Sequence, residues 1–443
     1  MTRRFLGQTL WFWVIVLAVF AATWGMFYLG GLPGVDIPII STIGGGFAQR
    51  IIMAAGIMAI VSMGLNLIYG FNGQFSLGQW GFYALGAYAA ADITYWWNKS
   101  NAAPLVFCVL AVIFLSVAYV VVGRLIRQRF NYLDEMSRFA MHLLFTALAV
   151  GLALGGAALL GGPVGTLLGL LRTGDSPTSD ASMQIAFIIA TLCGGGLAAL
   201  LSYLFGQPVL KLGGDYFGIA TLGLTMVMYV LANNADSAFP EMKGARGMVG
   251  IPVVTTWFWV FVFLVASLVA ARNLLDSSHG RAIISVREDE VAARAMGIDV
   301  TAQKTIAFVI GSFLAGTAGS LYAHQEGFLH PSTFHFVKAF DPLIIIVFGG
   351  LGSVTGTLVG AFTWALTVQY LLPLVLPSES LGWRFVIYPV ALLLIMLIRQ
   401  EGLLGSVEWG FLRPKKWGLR TRPDGGPPVS AAVTADATAG EAK

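Results

Sequence analysis

Side chains able to do chemistry are scarce in this chain, and they gather in two stretches. His324, His330 and His335 lie among Glu326, Lys338 and Asp341. Imidazole and carboxylate are common metal ligands, but histidine spacings of six and five residues match no helical metal pair. A solvated loop is the expectation there. The second stretch, Arg272 to Lys304, carries Arg287, Glu288, Asp289, Glu290 and Arg294, a set suited to ion pairing and helix capping. No nucleophile stands beside a base and no carboxylates pair, so no catalytic residues are expected. Gly350 to Gly356 has the spacing G-x-G-x-x-x-G without a following Walker lysine, inside an apolar run, which excludes a phosphate loop. Cys108 and Cys193 both fall in apolar runs and are expected to pack as small hydrophobes.

The charged stretch reads as a short helix. Ser285 and Glu288 have capping-box spacing, which marks a helix start, and Gly297 suits the stop. Glu290 precedes Arg294 by four residues, the favourable order for an ion pair. Val291, Ala295 and Ile298 are expected to share its apolar face. Such a helix of about three turns could lie on a membrane or dock on a soluble partner. The mixed signs of its charges favour docking, because anionic lipid prefers a uniformly basic face.

The elements that must position this helix are membrane spans. The chain has 443 residues, 57% hydrophobic and 11% charged, where a soluble domain carries roughly a quarter charged residues. Charges collect at Arg124–Arg138, Arg272–Lys304 and Arg399–Arg422, with nearly bare stretches between. Since about 20 apolar residues cross a bilayer, spans are expected at 10–30, 51–69, 76–97, 104–123, 140–160, 183–205, 216–233, 254–271, 305–323, 342–372 and 384–398. The first could pass for a signal peptide, but it is long for one and lacks a clear cleavage site. Arg3 and Arg4, Arg124, Arg127 and Arg129, the 272–304 loop and the tail after Arg399 are assigned to the cytoplasm. That orientation requires 342–372 to cross as two pieces, broken near Gly349–Gly352. The runs are too long and too unbroken for an outer-membrane barrel.

A second irregularity falls at Asn66–Gly81, where glycines and amides separate two apolar runs without any charge. Non-helical backbone at membrane depth survives only where protein or a water-filled cavity satisfies it, and transporter pathways use such breaks; a polar turn at the membrane face is the alternative. Small residues recur every fourth position in Gly352, Gly356 and Gly360, in Gly311, Ala315 and Gly319, and in Gly161, Gly165 and Gly169, as helices packed closely in lipid require. The apolar interiors hold almost no ionisable residue, with Asp92 and His142 near span ends, which weakens an ion-coupled carrier.

These residues resemble a known family. LNLIYGFNGQFSLGQWGFYALGAYAA (65–90), LKLGGDYFGIATLG (210–223), NNADS, GMVGIP, the run from GRAIISVREDEVAARAMGIDV through LAGTAGSLYAH to VFGGLGSVTGTLVGA (280–361) and IRQEGLLG (398–405) stand in the order of the LivM-type permeases of branched-chain amino acid ABC importers. The resemblance implies an all-α polytopic membrane protein of about 10–12 transmembrane helices with broken helices, like a type II ABC importer permease. It implies a second, LivH-like permease subunit, two ATP-binding subunits and an extracytoplasmic substrate-binding protein as partners. No cofactor is expected on this chain, with ATP used by the partners. Urea and short-amide permeases are close relatives within the class, and an ion-coupled secondary transporter is the more distant alternative.

The resemblance also implies that the 285–297 helix couples to the ATPases through Arg287, Glu288, Asp289, Glu290, Ala293, Arg294 and Gly297. Asn66, Gln74, Ser76 and Gln79, with Gly349, Gly350, Gly352 and Gly356 at the break, are the candidates for the translocation pathway. The expected organisation is an N-terminal helix and outer loop (1–46), a first permease block (47–103), an inserted region (104–208), a C-terminal core (209–405) and a cytoplasmic tail, partly disordered (406–443). The expected location is the bacterial inner membrane, with both termini in the cytoplasm.

Overall fold

The computed structural model describes residues 13–25, 46–99, 101–128, 135–169, 181–210, 214–371, 390, 402–405 and 408. The anchors Arg3, Arg4, Arg129 and Arg399, the expected span 384–398 and nearly all of the tail lie outside the described residues. The protein is an all-α membrane protein. In order come α1 (Trp13–Gly25), α2 (Gly46–Ile68), α3 (Gln79–Asn98), α4 (Ala103–Gln128), α5 (Glu135–Gly169), α6 (Ala181–Val209) and α7 (Asp215–Asn233). There follow α8 (Trp257–Asp276), α9 (Ser278–Glu288), α10 (Glu290–Ala295), α11 (Val300–Glu326), α12 (Phe340–Gly349) and α13 (Val354–Trp364), the last continuing as π-helical turns over Ala365–Leu371. A two-residue ribbon, β1 (Met248–Val249) against β2 (Phe328–Leu329), is antiparallel with Met248 opposite Leu329.

Seven described helices are long and apolar enough to cross a membrane unaided: α2, α4, α5, α6, α7, α8 and α11. At 20 residues α3 matches them in length, and it lies in the core between α6 and α11. The stretch 342–372 is broken at the expected glycines, between α12 and α13, but its first piece is too short for the complete crossing expected of it. The 10 residues of α12 rise only about 15 Å, half of a hydrocarbon core of about 30 Å.

α11 is the axis of the bundle, packed by α2, α3 and α6. Lipid tails are as apolar as leucine, so burial alone cannot drive this association; close backbone contact must. Glycine provides it. A methyl group on Gly64 of α2 would lie 2.5 Å from the Gly311 carbonyl of α11, and one on Gly311 equally near the Gly64 carbonyl. Gly86 of α3 meets Gly316 of α11 in the same manner. The stripe Gly311, Ala315 and Gly319 is thus a contact face. The stripe Gly352, Gly356 and Gly360 is not one helix face, because Gly352 sits in the break with φ 75° and α13 begins only at Val354. On the periphery, α5 exposes Leu144, Leu152 and Leu159, positions suited to lipid. Cys108 and Cys193 are free and buried, as expected.

Candidate translocation core and coupling segment

The charged segment between α8 and α11 is built by three caps. Ser277 accepts from Gly280 N to start α9. Asp289, in extended conformation at φ −156°, ends α9 and starts α10, its Oδ1 accepting from Val291 N (2.8 Å) and Ala292 N (3.0 Å). Asp299 accepts from Ala302 N at 3.0 Å to open α11. The expected start at Ser285 is therefore corrected: Ser285 lies inside α9, its hydroxyl donating to Ala282 O. An aspartate forms the stronger local cap because its carboxylate engages two backbone N–H groups at once. Gly297 takes the left-handed conformation expected of a stop, at φ 82°.

The break at Asp289 also resets the apolar face. Val286, Ala293 and Val300 form the buried underside, with Ile298 against it. Val291 and Ala295, expected there, instead point outward, Val291 79% exposed beside Met296 at 83%. The predicted ion pair forms: Glu290 meets Arg294 at 3.0 Å, and its other oxygen meets Lys304 of α11 at 2.8 Å. Glu288 is exposed on the same surface.

Next to this segment the chain breaks its helices twice. After α2 it turns through Tyr69–Asn72 and, with Gly73 at φ 74°, runs without regular structure to Gly78 before α3 begins. α7 satisfies the exposed backbone: Thr221 Oγ1 accepts from Leu77 N (3.0 Å) and Thr225 Oγ1 donates to Leu77 O (2.9 Å). Asn66, Gln74, Ser76 and Gln79 are all buried here. Gln74 accepts from Asn72 Nδ2 at 2.9 Å, and Ser76 Oγ accepts from Gly78 N at 3.3 Å. Gln79, 2% exposed, has neither amide atom paired.

The second break lies between α12 and α13, with Gly350 at φ 128° and Gly352 at φ 75°. Ser353 Oγ accepts from Gly356 N at 2.9 Å. Gly402–Gly405 folds back so that Leu403 N donates to Phe348 O (2.7 Å) and Leu404 N to Gly349 O (3.2 Å). Glu408 accepts from Val354 N and Thr355 N at the start of α13, where a carboxylate complements the helix dipole.

Asn66 joins the two breaks. Its Oδ1 accepts from Gly352 N (3.0 Å), and its Nδ2 donates to Ser353 O (2.9 Å) and Thr357 Oγ1 (2.8 Å). The structure therefore makes Asn66 a clamp, while Gln74, Ser76 and Gln79 line the first break and Gly349, Gly350, Gly352 and Gly356 shape the second.

Two features were not legible as such. His324, expected in a solvated loop, is fully buried in the last turn of α11. Its Nδ1 donates to Ser320 O (2.7 Å), and Nε2 meets Thr94 Oγ1 of α3 (2.8 Å). The small residues before it continue the helix past the apolar run, which carries the ring inside. The second is an aromatic cluster: Trp80 stacks on Tyr83 at 4.6 Å, and Phe334 packs on Tyr83 and Tyr88. Trp80 Nε1 donates to Thr333 O at 2.9 Å, so the segment after β2 is pinned against α3. Among the described residues no three His, Cys, Asp or Glu side chains converge as metal ligands.

Residues 47–398 match the family described as branched-chain amino acid transport system, permease component. The high-affinity branched-chain amino acid transport system permease protein LivM of Salmonella typhimurium is 32% identical over 250 residues, 47% of this chain and 55% of that protein; LivM of Escherichia coli gives the same figures. LivH of Salmonella typhimurium is 27% identical over 206 residues, 43% of this chain and 64% of that protein. The chain thus spans about half the length of the LivM proteins it matches. No solved structure matches. With a match running from the start of α2 to residue 398, across both helix breaks and the capped segment between α8 and α11, this chain belongs to the branched-chain amino acid transport system permease family.

Proposed function

We propose that this chain is a membrane-spanning permease subunit of an ATP-driven importer for branched-chain amino acids in a bacterial inner membrane. The carrying observation is that a chain matched by this family over residues 47–398 presents an exposed apolar helix, α10, held between two spans. Val291 on that helix and Met296 just after it are the docking residues for an ATP-binding subunit, with Arg294 beside them. Two such subunits supply the ATP hydrolysis, a second permease resembling LivH completes the bundle, and an extracytoplasmic binding protein delivers the substrate. The segment carrying α9 and α10 faces the cytoplasm, with both chain termini on the same side. Closure of the ATPases on ATP pushes α10, and the bundle alternates its access around the broken helices. Gln74, Ser76 and Gln79 are the polar lining; Gln79 has the strongest claim, because a buried unpaired amide is costly unless something else satisfies it.

The test is ATP-dependent uptake of labelled leucine by vesicles carrying the co-expressed complex and its binding protein. Uptake that requires both ATP and the binding protein is the expected result. A complex that assembles with ATPases but moves urea or short amides instead would reassign the substrate. A chain that purifies alone and transports on an ion gradient would overturn the reading.

A further inference from the structure

We propose that Arg287 is the positioning residue that transmits movement of the α9–α10 segment to both helix breaks, an inference that rests on the transport reading above. Arg287 occupies the last turn of α9, two residues before the Asp289 break. Its Nη1 donates to the Gly70 carbonyl in the first break at 2.6 Å. Further along the same break, a methyl group on Gly73 would lie 3.3 Å from Arg287 Cγ and 3.6 Å from its Cα and Cβ. In the second break, a methyl group on Gly352 would lie 2.8 Å from Arg287 Nη1. One side chain therefore touches both interruptions, which Asn66 already fastens to each other.

The chemistry favours arginine for this place. A terminated helix leaves backbone carbonyls without intrahelical partners. A guanidinium carries five N–H donors in a rigid fork, cannot deprotonate, and reaches around a glycine turn that offers no side chain in its way. The other anchor of the segment runs elsewhere, from Glu290 to Lys304 on α11. A displacement of α10 thus divides into a pull on α11 through Glu290 and a pull on the two breaks through Arg287. Only the second reaches the irregular backbone that Gln74, Ser76 and Gln79 share.

The experiment uses the full reconstituted complex with its binding protein, and reads leucine taken up per ATP hydrolysed for wild type, Arg287→Lys and Arg287→Gln. Lysine keeps the stem and the charge but gives up the fork, so Arg287→Lys is expected to assemble fully, to retain ATP hydrolysis, and to lose several-fold in uptake per ATP. Arg287→Gln is expected to lose about tenfold or more in the same ratio. Uptake and hydrolysis falling in parallel in Arg287→Lys would assign the residue a merely structural role and overturn the proposal. An unchanged ratio in both variants, with wild type active, would overturn it alone, whereas a wild-type complex without ATP-dependent uptake would remove the transport reading and this inference together.

Discussion

Asn66 shows how much a single buried amide can hold. It is fully buried, and its three hydrogen bonds go to Gly352 N, Ser353 O and Thr357 Oγ1, all across the gap to the second break. Asn66→Ala leaves the amide and carbonyl of a helix break without their partner, at about 1–3 kcal/mol for each group stranded. The variant is expected to melt well below wild type in detergent, and Asn66→Asp to do no better, because a buried carboxylate keeps the acceptor for Gly352 N but turns an oxygen toward Ser353 O. Equal melting temperatures for wild type and Asn66→Ala would show that the clamp is not needed. The ion pairs of α10 divide differently. Arg294 is 69% exposed on its side chain, so its bond to Glu290 is an exposed pair of under about 1 kcal/mol. Lys304 is only 13% exposed and depends on the same carboxylate. Arg294→Ala is expected to leave the melting temperature nearly unchanged, and Glu290→Ala to lower it measurably by stranding Lys304. Replacing both residues of the exposed pair is expected to impair uptake through lost docking; undiminished ATP-driven uptake in Glu290→Ala/Arg294→Ala would refute the coupling role of α10.

At the scale of the element, glycine acts here for two separable reasons. Gly297 sits at φ 82° with open space around its Cα, so Gly297→Ala costs only the left-handed backbone, about 1–2 kcal/mol. Gly64 lies in an ordinary helix but in backbone contact with Gly311, so Gly64→Ala must push α2 away from α11. The expected outcome is a modest loss of stability with assembly retained for Gly297→Ala, against a severe loss of folded protein for Gly64→Ala, both read by yield and gel filtration. Asparagine tolerates the left-handed region, so Gly297→Asn is expected to stand between alanine and wild type. The same contrast explains what could be read in advance. The positions of the seven described spans, the break within 342–372 and the helix stop at Gly297 follow from hydropathy and backbone chemistry, both local or additive along the chain. The start of α10 was misplaced because Ser285 and Asp289 are both plausible caps, and only the packing of Val286 and Ala293 into one underside decides between them. The sequence singles out Arg287 and Asn66, but not their partners: Gly70 and Gly352 lie 217 and 286 residues from Arg287 and Asn66 respectively, and no local pattern encodes such a pairing.

At the scale of the whole molecule, the question is what energy source the bundle can use. An ion-coupled carrier needs ionisable groups inside the membrane that exchange protons or bind cations as access alternates. His324 is such a group by position, buried in the last turn of α11. Its environment speaks against a relay. Nδ1 must donate, because the Ser320 carbonyl can only accept, and Nε2 is engaged by Thr94 on the neighbouring helix. Nδ1 is held within α11 and only Nε2 ties α11 to α3; neither partner, a backbone carbonyl or a threonine hydroxyl, is an acid or base near neutral pH that could carry a proton onward. On the proposed function, the exposed apolar residues of α10 receive work delivered from outside the membrane. Leucine uptake by energised vesicles is therefore expected to survive a protonophore when ATP is supplied directly, and to stop when ATP is withheld or hydrolysis is blocked by vanadate. Uptake abolished by the protonophore at constant ATP would return an ion-coupled mechanism to first place.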